Sequence, residues 1–187
     1  MYQFCVSASS RGKTVASGAD MATEAGRLLA KQGHVLITGA TIGLPNVAAE
    51  SYKATGGSMS LGVSPASSKA EHVLKYHLPI KAYDAILYSG LHYIGRDVLL
   101  INSCDAIISI GGRIGTLHEF TIAMETDTPI GFVQGAGGVS VEIMDILHAA
   151  GESNASNVVF GDTPEEVIDK LTAILNERNK KYARLYR

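Results

Sequence analysis

One short stretch combines residues that could do chemistry: Ser109-Ile110-Gly111-Gly112-Arg113-Ile114-Gly115-Thr116-Leu117-His118-Glu119. The run Ala106-Ile107-Ile108 before it reads as a buried strand, and Phe120-Thr121-Ile122-Ala123-Met124-Glu125 after it reads as a helix. A glycine-rich turn from strand to helix gathers unpaired N–H groups at the positive end of a helix dipole, which suits a phosphate. Thr116 adds a hydroxyl, and Glu119 sets a carboxylate beside whatever is bound. A second turn of the same kind, Gly39-Ala40-Thr41-Ile42-Gly43, follows the apolar run His34-Val35-Leu36-Ile37-Thr38. Two such turns on one sheet are a stronger phosphate signal than either alone. Glycine also serves tight turns and close packing.

Several chemistries fall away. Neither turn is followed by Gly-Lys-Ser/Thr, so neither is a P-loop. Neither has dinucleotide-fingerprint spacing, and no acidic residue ends a second strand to hold a ribose, which disfavours NAD(P). His118-Glu119 resembles the start of a zinc-protease helix, but Ile122 stands where the second histidine belongs. No metal and no resident cofactor are expected. Arg96 and His92 stand four apart on a predicted helix and can share a face, although both residue types are also ordinary surface residues.

The elements that must position these residues alternate between strand and helix. Strands are expected at Phe4-Cys5-Val6, His34 to Thr38, Ser58 to Val63, Ala85-Ile86-Leu87, Asp105 to Ser109, Ile130 to Val133 and Asn157 to Phe160. Helices are expected over 19–32, 44–54, 94–103, 141–150 and from Thr163 onward, where Thr163-Pro164-Glu165-Glu166 reads as a capping box. Residues 66–81 are the least patterned part, with room for a short helix; residues 178–187 are basic and helix-compatible. Short apolar strands separated by helices give an α/β, Rossmann-like, doubly wound parallel sheet with helices on both faces. Ligands of such sheets sit at the carboxyl ends of the strands. The 187 residues fit one nucleotide-binding domain, 1–187.

A net charge of −2 gives no electrostatic case for coating nucleic acid. No run reaches the ~18 apolar residues of a membrane span, and the first residues run straight into a strand with no signal-peptide pattern. Cys5 and Cys104, far apart in sequence, read as reduced core thiols, which fits the cytoplasm. Tyr83, Tyr88 and Tyr93 look exposed and compatible with an interface.

Gly39-Ala40-Thr41-Ile42-Gly43-Leu44, Ala54-Thr55-Gly56-Gly57, Leu61-Gly62-Val63-Ser64-Pro65, Arg96 and Gly111 to Glu119 follow one another in an order that resembles the Lonely Guy (LOG) family. That family was long grouped under lysine decarboxylases, and it shares a Rossmann-like group with molybdenum-cofactor carriers and DNA-processing proteins. The resemblance covers nearly the whole chain, from Cys5-Val6-Ser7-Ala8-Ser9-Ser10 to Thr163-Pro164-Glu165-Glu166. It implies hydrolysis of the N-glycosidic bond of a nucleoside 5′-monophosphate such as AMP, releasing base and ribose 5-phosphate. It also implies a homodimer with the site near the interface. Arg96 and Glu119 would be the catalytic pair. Gly111, Gly112, Arg113, Gly115 and Thr116 would bind the phosphate, with Gly39 and Gly43 lining the nucleotide from the other turn. Against the family pattern Pro-Gly-Gly-x-Gly-Thr-x-x-Glu, with an upstream Arg-Lys pair, three positions differ. Gly111 replaces proline, Arg113 the second glycine and Asp97 the lysine. Arginine is costly at Arg113 if the backbone there has positive φ. The alternative is a carrier or sensor of the same group that holds a nucleotide or nucleotide-bearing cofactor without cleaving it.

Overall fold

The computed structural model describes residues 1–182. Seven parallel strands form one sheet: β1 (Gln3–Ala8), β2 (Val35–Thr38), β3 (Ser60–Ser64), β4 (Ala85–Tyr88), β5 (Ala106–Ile110), β6 (Ile130–Val133) and β7 (Val158–Gly161). Their spatial order is β4-β3-β2-β1-β5-β6-β7. The chain therefore winds outward from β1 to β4, returns to the other side of β1, and winds outward again. The reversal lies between β1 and β5, which pair in register from Phe4 with Ala106 to Ala8 with Ile110. Crossovers on either side of that point leave a crevice above the carboxyl ends of these two strands.

The helices are α1 (Thr14–Ser17), α2 (Ala19–Lys31), α3 (Leu44–Ala54), α4 (His92–Asn102), α5 (Ile114–Glu125), α6 (Ile143–Ala149) and α7 (Pro164–Lys180). They cover both faces of the sheet because side chains alternate along each strand. Phe4 and Val6 of β1, with Ile108 and Ile110 of β5, pack into the core that holds Leu29 of α2, Tyr52 of α3 and Leu171 of α7. Cys5 and Ile107 point the other way, into the core with Leu100 of α4, Phe120 of α5 and Leu147 of α6. The doubly wound sheet expected from the sequence is the one observed. No helix among the described residues is long and apolar enough to cross a membrane.

Some boundaries differ from the expectation. The helix after the glycine-rich turn starts at Ile114, not near Phe120, so Gly115 and Thr116 belong to its first turn. Two glycines at positive φ, Gly111 and Gly112, complete the turn before it, so the chain needs no further loop. The helix expected over 141–150 is a 3-10 turn, Gly138–Val141, followed by α6. The unpatterned segment contains a π-helical turn, Glu71–Lys75. It is held by a buried His72, whose Nδ1 lies 2.8 Å from Ser64 Oγ and whose Nε2 lies 3.0 Å from the Pro79 carbonyl. The basic end expected from 178 to 187 is partly described: α7 continues to Lys180, and 183–187 lie outside the described residues.

Candidate functional site

A cavity of about 190 Å³ opens at the β1–β5 switch point. Its walls come from the end of β1 (Ser7, Ser9), the β2–α3 turn (Gly39, Thr41), α4 (Tyr93, Arg96, Asp97) and α5 (Gly115, Thr116, Glu119), with Arg113 between β5 and α5. Arg96 and Glu119, from helices that follow different strands, therefore meet in one place. Both are buried although both are ionisable. Charged side chains seldom stay buried unless something pairs with them.

Arg96 is the sharper case. Nε and Nη1 of its guanidinium are buried without a hydrogen-bond partner among the described residues. Nε lies 3.3 Å from Oδ1 of Asp97, close enough for ionic attraction but not aligned as a hydrogen bond. The guanidinium lies over the Tyr93 ring, 5.9 Å from its centroid. A buried cation in a cavity wall, two of its donors without a partner among the described residues, is a binding group for an anion.

Glu119 is the sixth residue of α5, deeper than a helix-start carboxylate would be. The Ser7 hydroxyl, reaching across from β1, donates to its Oε2. Burial pushes the Glu119 carboxyl up to about 7, with Asp97 adding to the rise while Arg96, the Ser7 hydrogen bond and His118 oppose it. A carboxyl that titrates near neutrality can hold or give a proton at physiological pH.

The glycines divide into two groups. Gly39 and Gly115 line the cavity, whereas Gly43, Gly111 and Gly112 do not. The Gly112 N–H, expected to bind phosphate, donates instead to Ser9 Oγ at 2.8 Å. A Cβ on Gly112 would lie 2.5 Å from the Thr116 side chain, so this glycine makes room for that threonine. A Cβ on Gly43 would lie 2.5 Å from the Ser10 carbonyl oxygen, so this glycine lets the β2–α3 turn touch the loop that follows β1.

The open donors are at the start of α5. Arg113 supplies no side-chain cap, and the first helical bond runs from Leu117 N–H to the Arg113 carbonyl at 3.0 Å. The amides of the first turn are thus left for an anion. Arg113 itself has φ −137 and ψ −154, an extended backbone that any residue adopts. The strain that a positive φ would have imposed on arginine is absent. Its side chain is exposed at the cavity rim, where a Cβ on Gly12 would lie 4.0 Å from Nη1.

The model of the SLOG cluster4 family matches residues 5–168. The chain belongs to the SLOG cluster4 family. An uncharacterized protein from Archaeoglobus fulgidus is 31% identical over 105 residues, 56% of this chain and 63% of that protein. The match thus spans less than two thirds of that relative. Among solved structures, the structural-genomics target TM1055 superposes with a TM-score of 0.80 at 24% identity, covering 92% of this chain and 99% of that one. The molybdenum cofactor binding protein from Rippkaea orientalis gives 0.75 at 22%, covering 92% and 96%. The molybdenum cofactor carrier protein from Chlamydomonas reinhardtii gives 0.73 at 21%, covering 93% and 98%. At these identities the likeness is one of fold. SLOG membership agrees with the Rossmann-like group that the sequence resembles.

Sequence reasoning left out several residues that this SLOG chain brings to the cavity. Ser9, read only as part of a polar loop, joins three segments. Besides the Gly112 N–H it bonds Thr14 Oγ1 at 2.5 Å, and its carbonyl accepts from Leu44 N–H at 2.9 Å. Ser7 and Asp97 depend on tertiary contacts: the type of Ser7 carried no signal, and Asp97 stood out only as a departure from the family's lysine. His92 stays outside the cavity, exposed, with Nδ1 2.8 Å from the Tyr76 hydroxyl. Tyr83 and Tyr88 are not exposed: both are half-buried, and Tyr83 bonds Thr38 Oγ1 at 2.8 Å. Both cysteines are free thiols, and Cys5 and Cys104, distant in sequence, are close enough for a side-chain hydrogen bond that raises the pKa of Cys5.

Proposed function

We propose that this chain hydrolyses the N-glycosidic bond of a nucleoside 5′-monophosphate such as AMP, releasing the base and ribose 5-phosphate. The observation that carries the reading is the buried Arg96 guanidinium, unpartnered at Nε and Nη1, in one cavity with the proton-holding carboxyl of Glu119. The 5′-phosphate sits on the first-turn amides of α5 and the Thr116 hydroxyl, with Arg113 at the rim. Glu119 faces the glycosidic bond. Cleavage develops oxocarbenium character at the anomeric carbon, and proton transfer to the departing base lowers the barrier. At about 190 Å³ the cavity is smaller than the ~300–1,000 Å³ of pockets that enclose a drug-sized ligand, so the ribose phosphate enters and the base rests at the mouth near Tyr93. The reaction needs no metal and no resident cofactor. The same reading takes residues 1–187 as one domain working in the cytoplasm.

A homodimer accompanies this reading. Helix α4 carries Arg96 on its buried side and presents Ile94, 74% exposed, with Tyr93 and Val98 on its outer side. Leu91 and Leu87 extend that apolar face. A second copy packing there would lie beside the cavity mouth.

The second reading is a carrier that holds a phosphate-bearing cofactor without cleaving it, favoured by the exposed Arg113 at the rim. The discriminating experiment incubates the protein with AMP and other monophosphates and follows base and ribose 5-phosphate by chromatography. The hydrolase releases both in equal amounts. Tight binding without release would replace it by the carrier.

A further inference from the structure

We infer that Asp97 is the second reacting carboxyl of this cavity, taking the proton from the attacking water while Glu119 gives its proton to the departing base. The inference rests on the hydrolase reading and assigns a division of labour within it.

Asp97 follows Arg96 on α4, lines the cavity and is only 4% exposed. A structural partner for Arg96 would normally make a bidentate or well-aligned bond. Asp97 does not, since Arg96 Nε keeps no hydrogen bond at 3.3 Å from Oδ1. Its other oxygen, Oδ2, accepts from His118 Nδ1 at 2.9 Å, from the neighbouring helix α5. Asp97 lines the cavity and His118 does not, so the bond to Oδ2 holds the carboxylate from outside the cavity. This is the arrangement of a carboxylate held in place for use.

The charged and titratable groups facing Asp97 are Arg96 on its own helix and His118 and Glu119 on α5. Arg96 and His118 favour its ionised form; burial opposes it. Glu119 has Ser7 and the same arginine, with Asp97 itself as the like charge. Two carboxyls around one arginine do not ionise together easily, so one proton is shared between them and their roles separate. Glu119, whose carboxyl burial pushes up to about 7, keeps it.

The step then balances. The C1′–N bond breaks, its electron pair goes to the base nitrogen, and the base takes the Glu119 proton. The water oxygen bonds C1′ and its proton passes to Asp97. The cavity ends with the proton on the other carboxyl, and exchange with solvent restores the starting state.

The test compares kcat and KM against pH for the wild type, Asp97→Asn and Glu119→Gln, with and without azide, an anion that needs no deprotonation to attack C1′. In Asp97→Asn, kcat is expected to fall roughly 10²–10⁴-fold with little change in KM. Azide should restore cleavage, giving ribosyl azide 5-phosphate, in Asp97→Asn but not in Glu119→Gln. The alkaline limb, which reports Glu119, should move to lower pH once the like charge is gone. His118→Ala, at a half-buried position, supplies a second variant: its acidic limb should move to higher pH as Asp97 loses a donor. An active wild type with an Asp97→Asn variant of unchanged rate and pH profile overturns this inference alone. If Asp97→Asn does not fold, an unmoved acidic limb in His118→Ala overturns it. A wild type that cleaves no monophosphate overturns the hydrolase reading and this inference together.

Discussion

A Cβ atom on Gly39 would lie 1.8 Å from Nη1 of Arg96. The glycine that follows β2 therefore serves the cavity by its missing side chain: the guanidinium of α4 occupies the space. The same nitrogen is one of the two on Arg96 that are buried without a partner among the described residues. The substitution Gly39→Ala should push the arginine from the cavity while leaving the sheet intact. A hydrogen bond to a charged group is worth about 1.5–3 kcal/mol, so affinity for ribose 5-phosphate should fall roughly ten- to hundredfold. Titration calorimetry checks the affinity and circular dichroism checks the fold.

Glu119 links the site to stability. Its carboxyl is raised from 4.5 to about 7 in the folded chain, so the folded state holds a proton that the unfolded state has released between those values. The stabilisation is complete below pH 4.5 and is lost as pH rises toward 7. The change amounts to at most about 3 kcal/mol. Burial also raises Asp97, which adds to the same slope. Thermal denaturation midpoints should fall over this window, and Glu119→Gln should flatten the curve.

Arg113 should separate binding from folding. Its backbone is extended and its side chain exposed, so Arg113→Ala should leave the denaturation midpoint nearly unchanged. Affinity for a phosphate-bearing ligand should weaken several-fold and become less sensitive to salt, because a rim charge acts over screened distances.

The apolar side of α4 makes the assembly testable. Ile94→Glu places a charge where the proposed second copy packs, and a central contact of this kind is commonly worth ~2 kcal/mol or more. Light scattering should show a dimer in the wild type and a monomer in the variant. A wild type that is monomeric at tens of micromolar concentration would remove the dimer.

The parallel sheet was legible because its strands are short apolar runs, the inner ones buried on both faces. Leu36 and Ile37, adjacent on β2, pack into opposite cores, so both had to be apolar. The two glycine turns and Arg96 could also be read, because their residue types are unusual at those places. The start of α5 could not: Gly115 and Thr116 are weak helix formers, and the glycines before them resemble a longer loop. The segment around His72 is held by buried side-chain bonds to Ser64 and Pro79, which leave no periodic trace in sequence. Asp97 and Ser7 gain their place in the cavity only when α4, α5 and β1 converge.

The most direct test of the central claim is a crystal structure of the Glu119→Gln variant with AMP. The account predicts the phosphate on the Gly115 and Thr116 amides and the Arg96 guanidinium in contact with the bound nucleotide. It also predicts C1′ within about 3.5 Å of the residue-119 side chain. A phosphate seated elsewhere, or a ribose turned so that C1′ faces away from residue 119, would contradict it.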